Sequence, residues 1–336
     1  MKPNKAIAGT TSVIFALGGN ACITVLKFIG YFLSGSSSLF SEAVHSLADT
    51  MNQSLLLIGL RSSTRVADEE YAYGYGNERF LWALISACGI FFLGAGVTVY
   101  HGISSLLSHH EAELSTTIFA ILITAFVIES FTLYKAAQEL RLHNKEKTFV
   151  EALEHGDPVT IAVVYEDTAA VLGVIVALCS VTLSYFTHNY LWDAVGSIIV
   201  GLILAVIAVF LIKKNREFLI GKSIPEELAE QITEMLVAEP YIEKVIDFKS
   251  EVLDIGKYRI KCEIEFNGAA LIKEVFDRGD LEGEYEIIKD DYEEFKRFIA
   301  YQTNHIPRLV GRKIDEVEKK IIAAVPSVKY IDIEIN

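Results

Sequence analysis

The sequence predicts an α-helical membrane domain of six spans followed by a smaller α+β domain, and three observations lead there. First, 51% of the 336 residues are hydrophobic and the mean hydropathy is positive, which is too apolar for an ordinary soluble protein. Second, the first two thirds of the chain are long apolar runs separated by short polar loops, as a chain crossing a bilayer requires. Third, from about Glu217 the composition turns to Glu, Asp and Lys, and the hydrophobic pattern changes to that of short helices and strands. The expected boundaries are therefore 1–216 for the spanning domain and 217–336 for the other.

Six segments are long enough to cross a bilayer: 8–33, 38–61, 79–107, 115–139, 158–186 and 191–213. The apolar run after Met1-Lys2-Pro3-Asn4-Lys5 resembles a signal peptide, but it is long, contains Asn20 and Lys27, and leads into further spans. It is expected to be a retained first helix. Gly18, Gly19, Gly94, Gly96, Gly173 and Gly196 lie inside the spans, where small residues permit close helix contact.

Loop charge gives an orientation. Lys2, Lys5, Arg61, Arg65, Arg141, Lys145, Lys147, Lys213, Lys214 and Arg216 fall on one side, whereas the loops at 35–37, 108–111 and 187–189 carry no Lys or Arg. Both termini are expected in the cytoplasm. No transit peptide pattern precedes the first span, so the expected location is a prokaryotic-type inner membrane. The formal net charge of −14 argues against nucleic acid as a partner. Cys22, Cys88, Cys179 and Cys262 stand far apart, and no disulfide framework is implied.

Within span two, His45 and Asp49 are four residues apart and share one helix face, with Glu42 a turn before and Asn52 a turn after. An imidazole and a carboxylate at this spacing suit a divalent metal ion. A hydrogen-bonded pair that only ties helices together is the competing reading. Lys27 in span one is expected to snorkel or to pair with a carboxylate, and Glu129 in span four is its candidate partner on charge alone.

Span three opens on Tyr71–Arg79, an aromatic and glycine cluster read as an interfacial anchor. His109-His110-Glu111 is read as a solvated outer loop. In span five, Glu166 and Asp167 are adjacent and diverge by about 100° on a helix, so one faces a site and the other a neighbouring helix. Asp193 is expected to cap span six, the helix it begins.

Beyond Arg216, a helix is expected from Pro225 to about Val237, then strands at Val245–Leu253 and Tyr258–Phe266 joined by a turn at 254–257. Two helices, 290–301 and 308–324, should be separated near Pro307, and Val328–Ile335 should form the last strand. This order suits a ferredoxin-like α+β sandwich. Residues 268–289 read as an acidic insertion. Cys262 and His305 are the domain's soft ligands, too few for a multi-metal site.

Taken together, the segments Ser38–Asp49, Tyr73–Glu78 and Glu166–Ile175 resemble the cation diffusion facilitator family, and the resemblance covers nearly the whole chain. One departure stands out: Val163 occupies the position where many zinc-transporting members have His. Glu166–Ile175, Gly221-Lys222-Ser223-Ile224 and the acidic insertion are instead similar to the branch containing the mitochondrial zinc transporter nine. The resemblance implies a homodimeric secondary transporter, not an enzyme. It would export a divalent metal from the cytoplasm in exchange for protons, with His45, Asp49, Asp167 and Glu166 as candidate ligands and no cofactor. Imidazole with carboxylates favours Zn²⁺, with Mn²⁺, Fe²⁺ and Co²⁺ as alternatives. A membrane metalloenzyme is disfavoured because neither His-Glu-x-x-His nor Gly-x-Ser-x-Gly occurs. A metal-binding sensor or scaffold without transport is the other alternative.

Overall fold

The computed structural model describes residues 5–108, 116–143, 148–149, 152–153, 158–277 and 281–336. The His109-His110-Glu111 loop, Lys2, Lys145 and Lys147 lie outside them. The chain divides into two compact units between Ile220 and Gly221.

The first unit is helical: α1 (Lys5–Ser34), α2 (Ser37–Ser63), α3 (Glu78–Gly89), a π-helical turn (Ile90–Ala95), α4 (Gly96–Ser108), α5 (Thr116–His143), α6 (Pro158–Thr187) and α7 (Leu191–Ile220). Among the described residues, four helical stretches are long and apolar enough to cross a membrane: Glu78–Leu107, Ile118–Leu142, Val163–Thr187 and Leu191–Ile220. In α1, the described stretch Asn20–Ser34 is apolar but shorter. Although α2 is 27 residues long, serines together with Glu42, His45, Asp49 and Asn52 dilute its hydropathy. Its N-terminal half is the most deeply buried part of the unit, with Ser37 to Leu39 and Ser41 to Ser46 all buried. The helix of span three is continuous but passes through the π turn, where Gly94 packs against Ala48 of α2. Such a turn re-aims the side chains that follow it.

Polar contacts of small residues bring α2 and α7 together. Ser41 Oγ lies 2.5 Å from Ser197 Oγ, and Ser38 Oγ donates to the Asp193 carbonyl at 2.8 Å. Close approach requires a glycine at 196, since a Cβ there would overlap Ser180 Oγ and stand 2.7 Å from Ser38 Oγ.

Asp193 does not act as expected. Helix α7 already starts at Leu191, so Asp193 sits inside its first turn. Its carboxylate instead accepts from Ser36 Oγ at 2.8 Å, Ser37 N at 2.5 Å and Ser38 N at 3.2 Å. Ser36 is the N-cap of α2, and its own Oγ accepts from Leu39 N. Asp193 thus satisfies amide groups at the start of a neighbouring helix and places a negative charge at that helix's positive end.

In the second unit, α8 (Glu226–Val237) precedes β1 (Ile242–Asp254) and β2 (Lys257–Phe266). Then come α9 (Gly268–Asp277), α10 (Leu281–Ile288), α11 (Tyr292–Ala324) and β3 (Val328–Ile335). The sheet order is β1-β2-β3, with β1 and β2 antiparallel and β2 and β3 parallel. A Gly256 φ of +68° closes the β1–β2 turn. Ile260, Cys262 and Ile264 of β2 and Val328, Ile331 and Ile333 of β3 are buried, as are Ile232 and Leu236 of α8 and Val317 and Ile321 of α11.

The expected break near Pro307 is absent: α11 runs through it. Proline removes one helical hydrogen bond, whose acceptor would be the carbonyl of Thr303. Thr303 is exposed, so water can serve that carbonyl. The segment 268–289 contains two short helices within its described part. Burial pushes the Cys262 thiol up to about 12, with Glu318 adding to the shift, and His305 stacks on Tyr301. A thiol kept protonated in this way is a poor metal ligand.

Asp193→Ala should lower the stability of the full chain in detergent by roughly 2 kcal/mol, because it orphans buried amides and removes a cap together. Asp193→Asn should lose less. Thermal unfolding followed by intrinsic fluorescence checks the order of the three proteins.

Candidate metal site

Helix periodicity places His45 above Asp49, and His45 Nε2 lies 3.0 Å from Asp49 Oδ2. His45 is buried, while the Asp49 side chain keeps 21% exposure. Among the described residues, His45 Nδ1 has no hydrogen-bond partner. Two ligand atoms on one tetrahedral Zn²⁺, with bonds of about 2.0 Å, stand about 3.3 Å apart. The pair is therefore already near chelating distance.

Glu42 does not join this pair. It turns to α1, where Lys27 Nζ lies 2.9 Å from Glu42 Oε2 and 2.7 Å from Glu129 Oε1 of α5. The expected Lys27–Glu129 pairing is present, and Glu42 completes a triad across three helices. Spacing alone missed Glu42, because a residue three positions before His45 lies about 60° off its face and can serve a neighbour.

Across from α2, Glu166 and Asp167 of α6 part company as their adjacency requires. Asn52 Nδ2 donates to Glu166 Oε2 at 2.6 Å, and Asn52 Oδ1 accepts from Ser86 Oγ at 2.5 Å. Glu166 is thus held through α2 to α3 by a relay that the sequence did not reveal. An Asn one turn beyond Asp49 was its only trace. Asp167 is partly buried and within electrostatic reach of Asp49, Glu129 and His45, and Glu166 is within reach of Asp49, Asp167 and His45.

The four sequence-predicted residues therefore share one region between α2 and α6. In this arrangement, however, no group of three described His, Cys, Asp or Glu side chains is close enough to hold a metal ion. His45 and Asp49 are paired with each other, and Glu166 is committed to Asn52.

The aromatic segment before α3 is more than an anchor. Tyr75 Oη donates to Asp68 Oδ2 at 2.7 Å, Arg65 donates to Tyr75 Oη at 3.1 Å, and the Arg65 guanidinium lies 3.9 Å from the Tyr75 ring centroid. The Tyr75 hydroxyl, with backbone N–H groups of Tyr71 and Glu70, holds the Asp68 carboxyl below its usual range. The same hydrogen bond raises the Tyr75 phenol. The contact is present at neutral pH and is lost as pH falls through the lowered value of Asp68.

A helical bundle with four stretches apolar enough to cross a membrane, among the described residues, and ionisable side chains in its interior has the character of an integral membrane protein. The cation efflux transmembrane domain model matches residues 13–220, and the chain belongs to the cation efflux family. It is 37% identical over 328 residues to the proton-coupled zinc antiporter SLC30A9, mitochondrial, of Mus musculus, a match covering 96% of this chain and 58% of that protein. The chain thus spans little more than half the length of this relative. It is 33% identical to metal tolerance protein C4 of Arabidopsis thaliana, over 96% of this chain and 72% of that one. Magnetosome protein MamB of Magnetospirillum gryphiswaldense is 25% identical over 69% of this chain.

Asn52→Ala and Glu166→Gln should be non-additive, because each removes one end of the same buried hydrogen bond. Asn52→Ala alone should cost about 1–3 kcal/mol by leaving Glu166 and Ser86 unpaired. Unfolding of both single variants and the double variant provides the cycle, and additive losses would mean the bond does not hold Glu166.

Proposed function

We propose that the chain is a secondary active transporter that exports a divalent metal cation, Zn²⁺ foremost, from the cytoplasm in exchange for protons. The observation that carries this reading is the His45–Asp49 pair at near-chelating distance, its imidazole buried and Asp167 of α6 within electrostatic reach, in a cation efflux domain. The name of the mouse relative, a proton-coupled zinc antiporter, supports both ion and coupling. His45, Asp49 and Asp167 supply one nitrogen and two carboxylates, an intermediate set that suits Zn²⁺ and leaves Mn²⁺, Fe²⁺ and Co²⁺ as secondary cargoes. Glu166 takes the fourth place when it leaves Asn52, and water fills it otherwise. Binding needs the neutral imidazole, so protons and metal compete for the site, and this competition drives release.

The finer architecture belongs to the same proposal. The six spans are α1, α2, the α3–π–α4 run, α5, α6 and α7, together making a transport domain of residues 1–216. The following domain, 217–336, is ferredoxin-like, supported by its helix-strand-strand-helix-strand order. Positive loop charge supports cytoplasmic termini, and the inner membrane of a prokaryotic-type cell is the location that goes with this reading. Two copies of the chain assemble, joined in part through the second domain.

Transport of several divalent metals into proteoliposomes across an imposed pH gradient tests the reading. Wild-type protein should move Zn²⁺, and His45→Ala, Asp49→Ala and Asp167→Ala should each reduce flux by at least about tenfold while remaining folded. His45→Asp should retain some transport and shift preference toward Mn²⁺, because an all-oxygen shell suits the harder ion. Metal binding without flux in the wild type would instead make the chain a sensor or scaffold. Unchanged metal affinity in both Asp49→Ala and Asp167→Ala would overturn the site.

The assembly has its own check. Cross-linking and mass photometry in detergent should show two chains, and a monomer that still transports would remove the dimer.

A further inference from the structure

The Lys27–Glu42–Glu129 triad shares no side chain with the proposed metal ligands, and its charges do not balance. One ammonium faces two carboxylates, from three different helices, in the interior of an apolar domain. Lys27 contacts one oxygen of each carboxylate. Among the described residues, the other two oxygens, Glu42 Oε1 and Glu129 Oε2, are buried without a hydrogen-bond partner. Glu42 Oε1 abuts α6, where a Cβ added to Gly173 would stand 2.5 Å from it. Two buried acceptors and one surplus negative charge call for one small positively charged ligand. The ammonium already fills the space between the carboxylates, which leaves a proton as the ligand that fits.

We propose that the triad is a proton-carrying site of the antiporter, with Glu129 as the carrier. This rests on the antiport reading and adds, to the proton that competes with metal at His45, one carried outside the metal shell. Glu129 is chosen over Glu42 because its side chain keeps 11% exposure while that of Glu42 has none. The charged groups within electrostatic reach of Glu129 include Lys27 from α1, Glu42 and His45 from α2, and Asp167 from α6. Two of these four, His45 and Asp167, are proposed metal ligands, so a divalent ion arriving there brings positive charge within reach of Glu129. That charge favours the ionised carboxylate and expels the proton. The cycle balances. An O–H bond forms on Glu129 Oε2 with a proton taken from hydrated protons outside. It breaks when the proton passes to water on the cytoplasmic side, after which the metal leaves outward. Binding of the two ions is mutually unfavourable, and such linkage is reciprocal.

The test uses the full chain in liposomes with a zinc-sensitive and a pH-sensitive dye inside, and reads protons moved per zinc ion, which does not depend on how fast a variant runs. In Glu129→Gln the remaining Lys27–Glu42 pair is charge-matched, and the ratio should fall by about one proton per zinc ion. Glu129→Asp should restore it. If Glu129→Gln fails to insert, Glu42→Gln leaves the matched Lys27–Glu129 pair and should show the same loss. A wild-type ratio in whichever of the two Gln variants folds overturns the assignment while leaving antiport standing, and identifies the triad as a structural tie. Wild-type protein that moves zinc with no protons removes the antiport reading and this proposal with it.

Discussion

An ionised side chain inside an apolar helical domain has no water to fall back on, so its partner has to be delivered by another helix. The first unit is organised by this requirement. Lys27 of α1 is met by Glu42 of α2 and Glu129 of α5. Glu166 of α6 is met by Asn52 of α2, which is itself held by Ser86 of α3. Asp193 of α7 is met by the opening turn of α2. Each of these contacts crosses between helices, and all but Lys27–Glu129 end on α2. Removing one partner would strand a buried polar group, which costs more than the lost contact itself contributes.

Helix α2 can take this central place because its packing surface is small and polar rather than large and apolar. Serines at 37, 38 and 41 let α7 come close and share hydrogen bonds. Gly196 removes the side chain that would hold the helices apart. The same composition makes α2 less hydropathic than four of the other helical stretches. A helix this polar is stable in such a setting only when its neighbours satisfy it, so its polar residues are tied to the packing of the whole unit. Among the described residues, His45 Nδ1 is buried without a hydrogen-bond partner, as are Glu42 Oε1 and Glu129 Oε2.

The second unit obeys ordinary core rules. A three-stranded mixed sheet buries one face, with Ile260, Cys262 and Ile264 on its middle strand. Glu226, Glu227, Glu282, Glu284 and Glu293 lie exposed on helices, where solvent carries their charge. Its cysteine is buried and used for packing.

The sequence by itself determined the helices, the apolar stretches, the change of character near residue 217, and the pairing of His45 with Asp49. These are local properties: a period of 3.6 residues fixes which residues share a face, and four positions apart is one turn. It also set Lys27 against Glu129, because so few charges lie in the spans that the choice of partner was narrow. Only the tertiary structure decided that Glu42 turns to Lys27 rather than to His45, that Asn52 holds Glu166, and that Asp193 caps a helix more than 150 residues earlier in the chain. It also decided that α11 continues through Pro307, since the fold leaves the carbonyl that loses its bond near water. The reason is common to all four. A residue's position on its own helix follows from spacing, but the group it meets depends on how neighbouring helices are rotated and packed, and on what solvent the fold leaves beside it.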